Sequence, residues 1–156
     1  TWDGRFAVKI TGLTDSKNQG GSGGFTLTQD ALIDVLEIRN PVGGSIAKIT
    51  IKPGEAILER DGQLTTAIDA DTLLQNTLGL PLPARGLSDW LRGKTRPGGN
   101  ASVERNAKGQ VSKITQDGWT LNYNWNNTQR LEKLMMTRSS NIGSIDIRLV
   151  FDNPNE

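Results

Sequence analysis

Residues 32–51, LIDVLEIRNPVGGSIAKITI, carry the clearest structural signal in the sequence. Two segments rich in Ile, Val and Leu, residues 32–38 and 46–51, flank the tetrapeptide Asn40-Pro41-Val42-Gly43 and a second glycine. Asparagine at the first position, proline at the second and glycine at the fourth are typical of a type I turn, because proline presets φ and asparagine can bond the backbone ahead. The stretch therefore predicts a β-hairpin with Val42 near its tip.

Strand patterns continue on both sides of this hairpin. Apolar and polar residues alternate in residues 5–11 and again from Phe25, which is typical of strands with one solvated face. The polar, glycine-dense residues 18–24 between them are predicted to be a connection without core-facing side chains. Further strands are predicted at residues 56–59, 101–105, 111–115, 119–125, 131–137 and 144–151. The sequence thus predicts a mainly β fold of about ten or eleven antiparallel strands, in a single domain over residues 1–156.

The pattern changes to helical spacing after residue 66. Asp69 is placed to cap a helix with apolar positions at Leu73, Leu74 and Leu78, which would end at Gly79. Two prolines in residues 80–83 predict an extended connector, since proline is excluded from helix interiors. A second short helix would present Leu87, Trp90 and Leu91 on one face and end at Gly93. A helical insert is therefore expected at about residues 69–93.

The composition excludes several classes of function. The chain has no cysteine and no histidine, so thiolate chemistry, disulfides and the commonest metal ligand and general base are all missing. Its 18 basic and 17 acidic residues leave a formal charge of +1 without a basic run, which argues against a nucleic-acid partner. No apolar stretch approaches the roughly 18 residues of a membrane-spanning helix. We therefore expect a non-enzymatic protein with no metal and no cofactor.

Four segments in chain order resemble motifs of the LolB family of outer-membrane lipoprotein receptors. They are Gly4-Arg5-Phe6, Asn40-Pro41-Val42-Gly43, residues 79–93 with the pattern Gly-Leu-Pro-Leu-Pro followed by Leu87 and Trp90-Leu91-x-Gly, and Gln116-Asp117-Gly118-Trp119-Thr120-Leu121-Asn122-Tyr123. The resemblance covers about residues 2–151. It departs at Leu27, where the family often has tryptophan, and at residues 131–135, where a proline-x-arginine-leucine motif is missing.

The resemblance implies a half-open antiparallel β-barrel around an apolar cavity, with the short helices as a lid over its mouth. Members of the family accept acylated lipoproteins from the periplasmic carrier LolA and insert them into the outer membrane. The implied partners are therefore the acyl chains of lipoproteins, LolA and the inner leaflet of the outer membrane. The implied location is the periplasmic face of that membrane, reached through an N-terminal lipid anchor that would precede Thr1. We expect a monomer.

The resemblance also implies two sets of functional residues. The membrane-delivery loop would be Asn40, Pro41, Val42 and Gly43, with the apolar side chain of Val42 projecting outward. The residues expected to line the acyl-chain cavity are Phe6, Val8, Ile10, Phe25, Leu27, Leu36, Ile38, Leu74, Leu78, Leu82, Leu87, Trp90, Leu91, Trp119 and Tyr123. A purely structural interpretation stays open for both sets, because isolated surface valines are common and apolar residues at these spacings usually form a packed core.

Three other functions stay open at this stage. A soluble LolA-like periplasmic carrier would have a similar fold without the membrane anchor. A structural envelope lipoprotein would have a filled interior, and a carboxylate-dependent hydrolase would need two close acids in a polar cleft. The basic residues Arg85, Arg92, Lys94 and Arg96 around the second predicted helix form either a solvated rim or a docking surface for an acidic carrier.

Overall fold

The computed structural model describes residues 1–12, 19–78, 83–140 and 143–152. Within these ranges it contains eleven strands and two helices. The strands are β1 Trp2–Gly12, β2 Gln19–Asp30, β3 Ile33–Arg39, β4 Ser45–Lys52, β5 Glu55–Arg60, β6 Gln63–Ala67, β7 Ala101–Arg105, β8 Val111–Gln116, β9 Trp119–Trp125, β10 Leu131–Ser140 and β11 Gly143–Phe151. The helices are α1 Ala70–Leu78 and α2 Ala84–Leu91.

The strands form one sheet in the order β6-β5-β4-β3-β2-β1-β11-β10-β9-β8-β7. The registers that define the pairs are antiparallel, as between β3 and β4 and between β10 and β11. The order does not return from β7 to β6, so the sheet is open. The predicted fold class is confirmed in its mainly β content, its antiparallel pairing and its unclosed sheet, which agree with a half-open barrel.

The contacts divide the chain into two compact units, each described separately below. Unit 1 contains Thr1–Asp3 and Gly23–Ser88, and unit 2 contains Gly4–Ser22 and Asp89–Glu156. Most neighbouring strands in the sheet are also consecutive in the chain, so most strand pairings are local in sequence. That the whole chain is a single domain stays a prediction.

The core of unit 1 is a row of aliphatic side chains across neighbouring strands. Leu27, Leu36, Ile49 and Leu58 are direct cross-strand partners in β2, β3, β4 and β5, and all are buried. Side chains at directly paired positions share one face of a sheet, so the period-two pattern of each strand builds one continuous apolar surface. Helix α1 packs against β5 and β6 and buries its own apolar side.

The core of unit 2 contains two such rows. The first joins Val8, Ile147, Met136, Leu121 and Ile114 across five strands. All five side chains are buried. Each aliphatic side chain that is fully buried contributes roughly 1.5–3 kcal/mol to folding.

The second row of unit 2 joins Phe6, Leu149, Leu134 and Tyr123. It lies two residues away from the first row in every strand, hence on the same face of the sheet. These four side chains are also buried.

Two strand assignments made from the sequence were wrong. Residues 19–24 belong to β2 instead of a connection. A Cβ built at Gly20 would collide with the backbone carbonyl of Val8, so the glycine permits a close approach that no other residue would. Strand β6 was not predicted, because Gln63–Thr66 show no regular alternation of apolar and polar residues; all four are exposed.

The predicted start of the first helix is confirmed. The Asp69 carboxylate accepts a hydrogen bond of 2.8 Å from the backbone N–H of Thr72, as an N-cap does. The predicted stop at Gly79 and the connector through Leu82 lie outside the described residues. The second helix ends as predicted, where Gly93 has φ +73 and its N–H donates to the Trp90 carbonyl.

Candidate functional site

The turn between β3 and β4 is held by four hydrogen bonds centred on Asn40. The Asn40 N–H donates to the Gly44 carbonyl at 2.8 Å, and the Gly43 N–H donates to the Asn40 carbonyl at 3.0 Å. The Asn40 side-chain oxygen accepts from the backbone N–H groups of Val42 and Gly44, both at 3.0 Å. The predicted type I turn is confirmed, and Gly43 follows it with φ +100, a conformation that favours glycine.

This geometry displays Val42 to solvent. Its side chain is 93% exposed, the highest value among the large hydrophobic residues identified as exposed. The hydrogen bonds of Asn40 and the fixed φ of Pro41 hold the tip before any partner arrives, so little conformational entropy remains to be lost when it binds. The arrangement is a rigid support for one apolar side chain.

Two further turns in the described residues use the same geometry in unit 2. The Asn106 side-chain oxygen accepts from Lys108 and Gln110 N–H, and that of Asn126 accepts from Thr128 and Arg130 N–H. The first residue of each turn also pairs with the fifth through backbone hydrogen bonds. The third position, which Val42 occupies in unit 1, is polar in both of these turns.

The predicted cavity-lining residues of unit 1 come together on one face of its sheet. Leu27 pairs with Leu36 and Phe25 pairs with Ile38 across β2 and β3. All four are buried, as are Leu74 of α1 and Leu87 of α2. The structure therefore brings these side chains into apolar surroundings, and their contact with acyl chains stays a proposal.

The predicted residues of unit 2 divide between the sheet and the end of α2. Phe6 and Val8 lie in the two apolar rows of the sheet, and Ile10, opposite Ile145, is half-buried. Trp119 and Tyr123 are buried on the core face of β9, and Trp90 and Leu91 are buried at the end of α2. Two members of the predicted set for unit 1 lie outside the described part of the chain, namely Leu82 and the side chain of Leu78.

A buried amide that was not predicted as a site residue fixes Trp90 in place. Gln116 is only 1% exposed, and its side-chain oxygen accepts from the Trp90 indole N–H at 2.9 Å and from the Arg96 N–H at 2.7 Å. Its amino group donates to the Arg96 and Gly99 carbonyls at 2.7 and 3.3 Å. The signal was present in the sequence, because Gln116 follows Ile114 at a period-two spacing and so occupies a core position of β8.

The Tyr123 hydroxyl donates to the Trp90 carbonyl at 2.6 Å. These hydrogen bonds join Trp90, Arg96, Gln116 and Tyr123 into one cluster, the clasp of Gln116. Burial raises the pKa of Tyr123 well above its ordinary value of 10.0, because the charged phenolate would lose its contact with water. Trp90 is thus held at both its indole N–H and its backbone carbonyl.

Arg96 is held in a salt bridge at the edge of the clasp. Its guanidinium makes a bidentate pair with the Asp117 carboxylate, at 2.7 and 2.9 Å. The predicted basic patch therefore has to be revised, since Arg96 is engaged within unit 2 and the Arg85 side chain lies outside the described residues. Arg92 and Lys94 are exposed.

None of the helices in the described ranges combines the length and the apolar character that crossing a bilayer requires. The described residues also contain no group of three or more His, Cys, Asp or Glu side chains placed to hold a metal ion.

The sequence profile of the family described as "Outer membrane lipoprotein LolB" matches residues 1–153. The chain belongs to the LolB family. Similar relatives include the outer-membrane lipoprotein LolB of Bordetella pertussis (strain Tohama I), which is 35% identical over 97% of this chain and 76% of that relative. The LolB proteins of Ralstonia nicotianae and Cupriavidus metallidurans are 32% and 29% identical, over 97% and 99% of this chain and 78% and 80% of those relatives.

Membership of the LolB family confirms the resemblance seen in the sequence motifs. It also confirms two of the expectations attached to that resemblance. LolB proteins are lipoproteins of the outer membrane, and the family is a non-catalytic one that acts in lipoprotein localisation.

Proposed function

We propose that this chain is a receptor that accepts acylated lipoproteins from the carrier LolA and inserts them into the inner leaflet of the outer membrane. The observation that carries the proposal is the display of Val42, 93% exposed on a turn that four hydrogen bonds hold rigid. A water-exposed aliphatic side chain on a fixed support is suited to entering the apolar edge of a bilayer. The family membership supports the same function.

The apolar faces of the two units supply the chemistry that acyl chains need. Transfer of a methylene group from water to an apolar surface is worth about 0.8 kcal/mol, so an alkyl chain can be held without any covalent step. We propose that the alkyl chains contact the predicted sets: Phe25, Leu27, Leu36, Ile38, Leu74, Leu78, Leu82 and Leu87 in unit 1, and Phe6, Val8, Ile10, Trp90, Leu91, Trp119 and Tyr123 in unit 2. The protein is proposed to act as a monomer.

A transfer assay tests the function directly. Purified LolA loaded with a labelled lipoprotein is mixed with the chain, and the cargo is followed by co-purification; liposomes are then added and the cargo in the lipid fraction is measured. We expect the label to move first to the chain and then to the liposomes. If the label stays on LolA, the receptor function is wrong, and if it reaches the chain but never the liposomes, a carrier function replaces insertion.

Photo-crosslinking tests the proposed acyl-chain contacts. A lipoprotein with a photoreactive group near the end of its acyl chain is bound and irradiated, and the labelled residues are identified by mass spectrometry. Leu36 and Val35 are a matched pair, because adjacent residues in a strand face opposite sides of the sheet. Label on Leu36 and its row supports the proposal, whereas equal label on Val35 would count against it.

A further inference from the structure

A basic pocket lies in unit 2, and none of its lining residues belongs to the turn of Val42 or to the clasp of Gln116. Its volume is about 360 Å³, and the residues that line it include Arg92 and Lys94 after helix α2, Arg105 at the end of β7, and Val111 and Trp125. Roughly 300–1,000 Å³ is the usual range of small-molecule sites, so the pocket has room for a small organic group. The lining residues among those described include three cations and no carboxylate.

The three cations converge from two different elements of the fold. Arg92 and Lys94 stand at the end of α2, where positive charge is favourable in any helix, so these two alone would not require a ligand. Arg105 belongs to β7, and its guanidinium is oriented by a hydrogen bond of 3.0 Å to the Gly109 carbonyl. Its side chain lines the same pocket as the other two, so an anion in the cavity would face basic groups from both elements.

The C-terminal end of α2 carries partial negative charge, which the side chains of Arg92 and Lys94 that follow it offset. The Asp89 carbonyl accepts from the N–H groups of Arg92 and Lys94 at 3.1 and 3.0 Å, and the Trp90 carbonyl accepts from Gly93 N–H at 2.9 Å. These carbonyls, which carry the partial negative charge of the helix end, are already engaged by internal donors.

The remaining lining of the pocket combines Val111 and Trp125 with Gly93 and with the amide side chains of Gln110 and Gln129. The Trp125 indole N–H donates to the Val111 carbonyl at 2.7 Å, which fixes the ring, and the ring stacks on Tyr123 with centroids 5.9 Å apart. A ligand that fits has a compact anionic end for the guanidinium and ammonium groups and a short carbon skeleton for the indole and Val111. A guanidinium matches phosphate oxygens in a bidentate geometry.

We propose that this pocket binds a phosphate ester of a small polyol, the chemistry of an anionic phospholipid headgroup or of a soluble glycerophosphate. The site is new relative to the transfer of lipoproteins and does not depend on that function. If the ligand is a lipid headgroup, the pocket anchors unit 2 to an anionic membrane surface. Three cations and a cavity of this size exceed what one acidic side chain of a protein partner would fill.

The test uses two probes and two triple variants of the chain. Glycerol 3-phosphate is titrated against the ¹⁵N-labelled protein while the Trp125 indole resonance is followed, with glycerol as the uncharged control. In parallel, the chain is sedimented with phosphatidylcholine vesicles with and without phosphatidylglycerol. The variant R92Q/K94Q/R105Q removes the pocket charges, and K9Q/K48Q/K52Q removes three charges at exposed residues that do not line the pocket.

We expect a saturable shift of the Trp125 resonance and binding to vesicles that contain phosphatidylglycerol. Each pocket charge removed should weaken binding about fivefold, as basic residues near an anionic surface do, and the variant with its substitutions elsewhere should bind almost normally. Binding of glycerol 3-phosphate without binding to vesicles identifies a soluble ligand, and the converse identifies a membrane headgroup.

Three results overturn the proposal. The first is that neither probe binds. The second is that the two triple variants weaken binding equally, which would reveal attraction to net charge alone. The third is that the pocket variant loses only its uptake of cargo from LolA, which would assign the cations to an acidic protein surface. Lipoprotein transfer that persists in the pocket variant leaves the receptor function intact while the phosphate site is judged separately.

Discussion

Asn40 and Gln116 use the same amide group to hold the chain around them, Asn40 in an exposed turn and Gln116 in the interior. The amide oxygen of Asn40 accepts two backbone N–H groups in an exposed turn of unit 1. The amide oxygen of Gln116 accepts the Trp90 indole N–H and the Arg96 N–H in the interior of unit 2. Both oxygens accept two N–H groups, but the surroundings differ, because the bonds of Asn40 are exposed to water whereas Gln116 is only 1% exposed and its bond to Trp90 is buried.

This difference separates two uses of an amide side chain. A hydrogen bond that water can replace contributes only about 1 kcal/mol, so Asn40 serves chiefly to fix the shape that displays Val42. A buried donor that loses its acceptor keeps its full desolvation cost, so Gln116 serves stability. We therefore expect substitutions near Asn40 to change function more than folding, and substitutions at Gln116 to do the reverse.

Replacement of Gln116 should have the largest effect on folding. Gln116→Leu keeps a similar side-chain volume but leaves the Trp90 indole N–H and the Arg96 N–H without their acceptor. We expect this to lower the free energy of unfolding by about 2–4 kcal/mol. Urea unfolding followed by circular dichroism measures the change. The matched control is Gln63→Leu on the exposed strand β6, for which we expect a change within about 0.5 kcal/mol. Equal losses for the two variants would show that burial does not set the cost.

The two amides also mark how much of the molecule could be predicted from its sequence. The hairpin around Asn40 was predicted in its strands, its turn type and its exposed tip, because all of its determinants lie within 20 consecutive residues. The clasp around Gln116 was not predicted, since Gln116 bonds to Trp90 and Arg96, 26 and 20 positions away, and Tyr123 bonds to Trp90, 33 positions away. Hydrogen bonds between distant segments leave no period in the sequence.

The missed strands have a related explanation. Period-two patterns predict strands that bury one face, and they predicted β3, β4, β8 and β9. They fail for β6, where Gln63–Thr66 show no regular alternation of apolar and polar residues, and for the start of β2, where glycines have no side chains to alternate. The basic pocket was only partly anticipated, since Arg92 and Lys94 were recognised as basic but Arg105 approaches them only in the folded chain.

The burial of Tyr123 in the clasp can be tested by measuring the free energy of unfolding at alkaline pH. Burial places the pKa of Tyr123 above that of an unfolded tyrosine near 10.0, so above pH 10 the unfolded state loses a proton that the native state keeps. Stability then falls as pH rises, by about 1.4 kcal/mol per pH unit from this group until its folded pKa is reached. Below pH 10 the contribution is constant.

Tyr123→Phe removes that alkaline dependence, so the free energies of unfolding of the two proteins should converge as the pH rises above 10. At neutral pH the variant should lose only about 1 kcal/mol, the value of the hydrogen bond to the Trp90 carbonyl. Because Tyr123 is the single tyrosine of the chain, tyrosinate absorbance reports its ionisation directly. Ionisation of the native protein near pH 10 would contradict the burial argument.

The apolar side chain at position 42 can be replaced without changing the hydrogen bonds of the turn that holds it. Val42→Glu places a carboxylate at the tip, which should leave the free energy of unfolding unchanged and reduce delivery of lipoprotein to liposomes about tenfold or more, since a charge enters lipid at high cost. Thr128→Glu is the matched control, because Thr128 occupies the same position of a turn with the same two bonds to backbone N–H groups; this variant also removes an exposed bond from the Thr128 hydroxyl to Asn126. Val42→Leu should retain delivery. Normal delivery by Val42→Glu would exclude the tip from membrane contact.

The smallest expected effect separates the role of the Asn40 turn from the role of the Val42 side chain. Asn40→Ala and Asn106→Ala remove the same two hydrogen bonds to backbone N–H groups from two similar turns. Asn106→Ala also removes an exposed hydrogen bond to the Gln110 side chain, which water can replace, so each should cost about 1 kcal/mol in urea unfolding. Only Asn40→Ala should slow delivery to liposomes, by a factor of about five or less, because it frees the tip that carries Val42 while the side chain itself remains. If both variants slow delivery equally, the loss of stability explains the defect. If neither does, the valine acts without a rigid support, and the turn geometry of Asn40 has only a structural purpose.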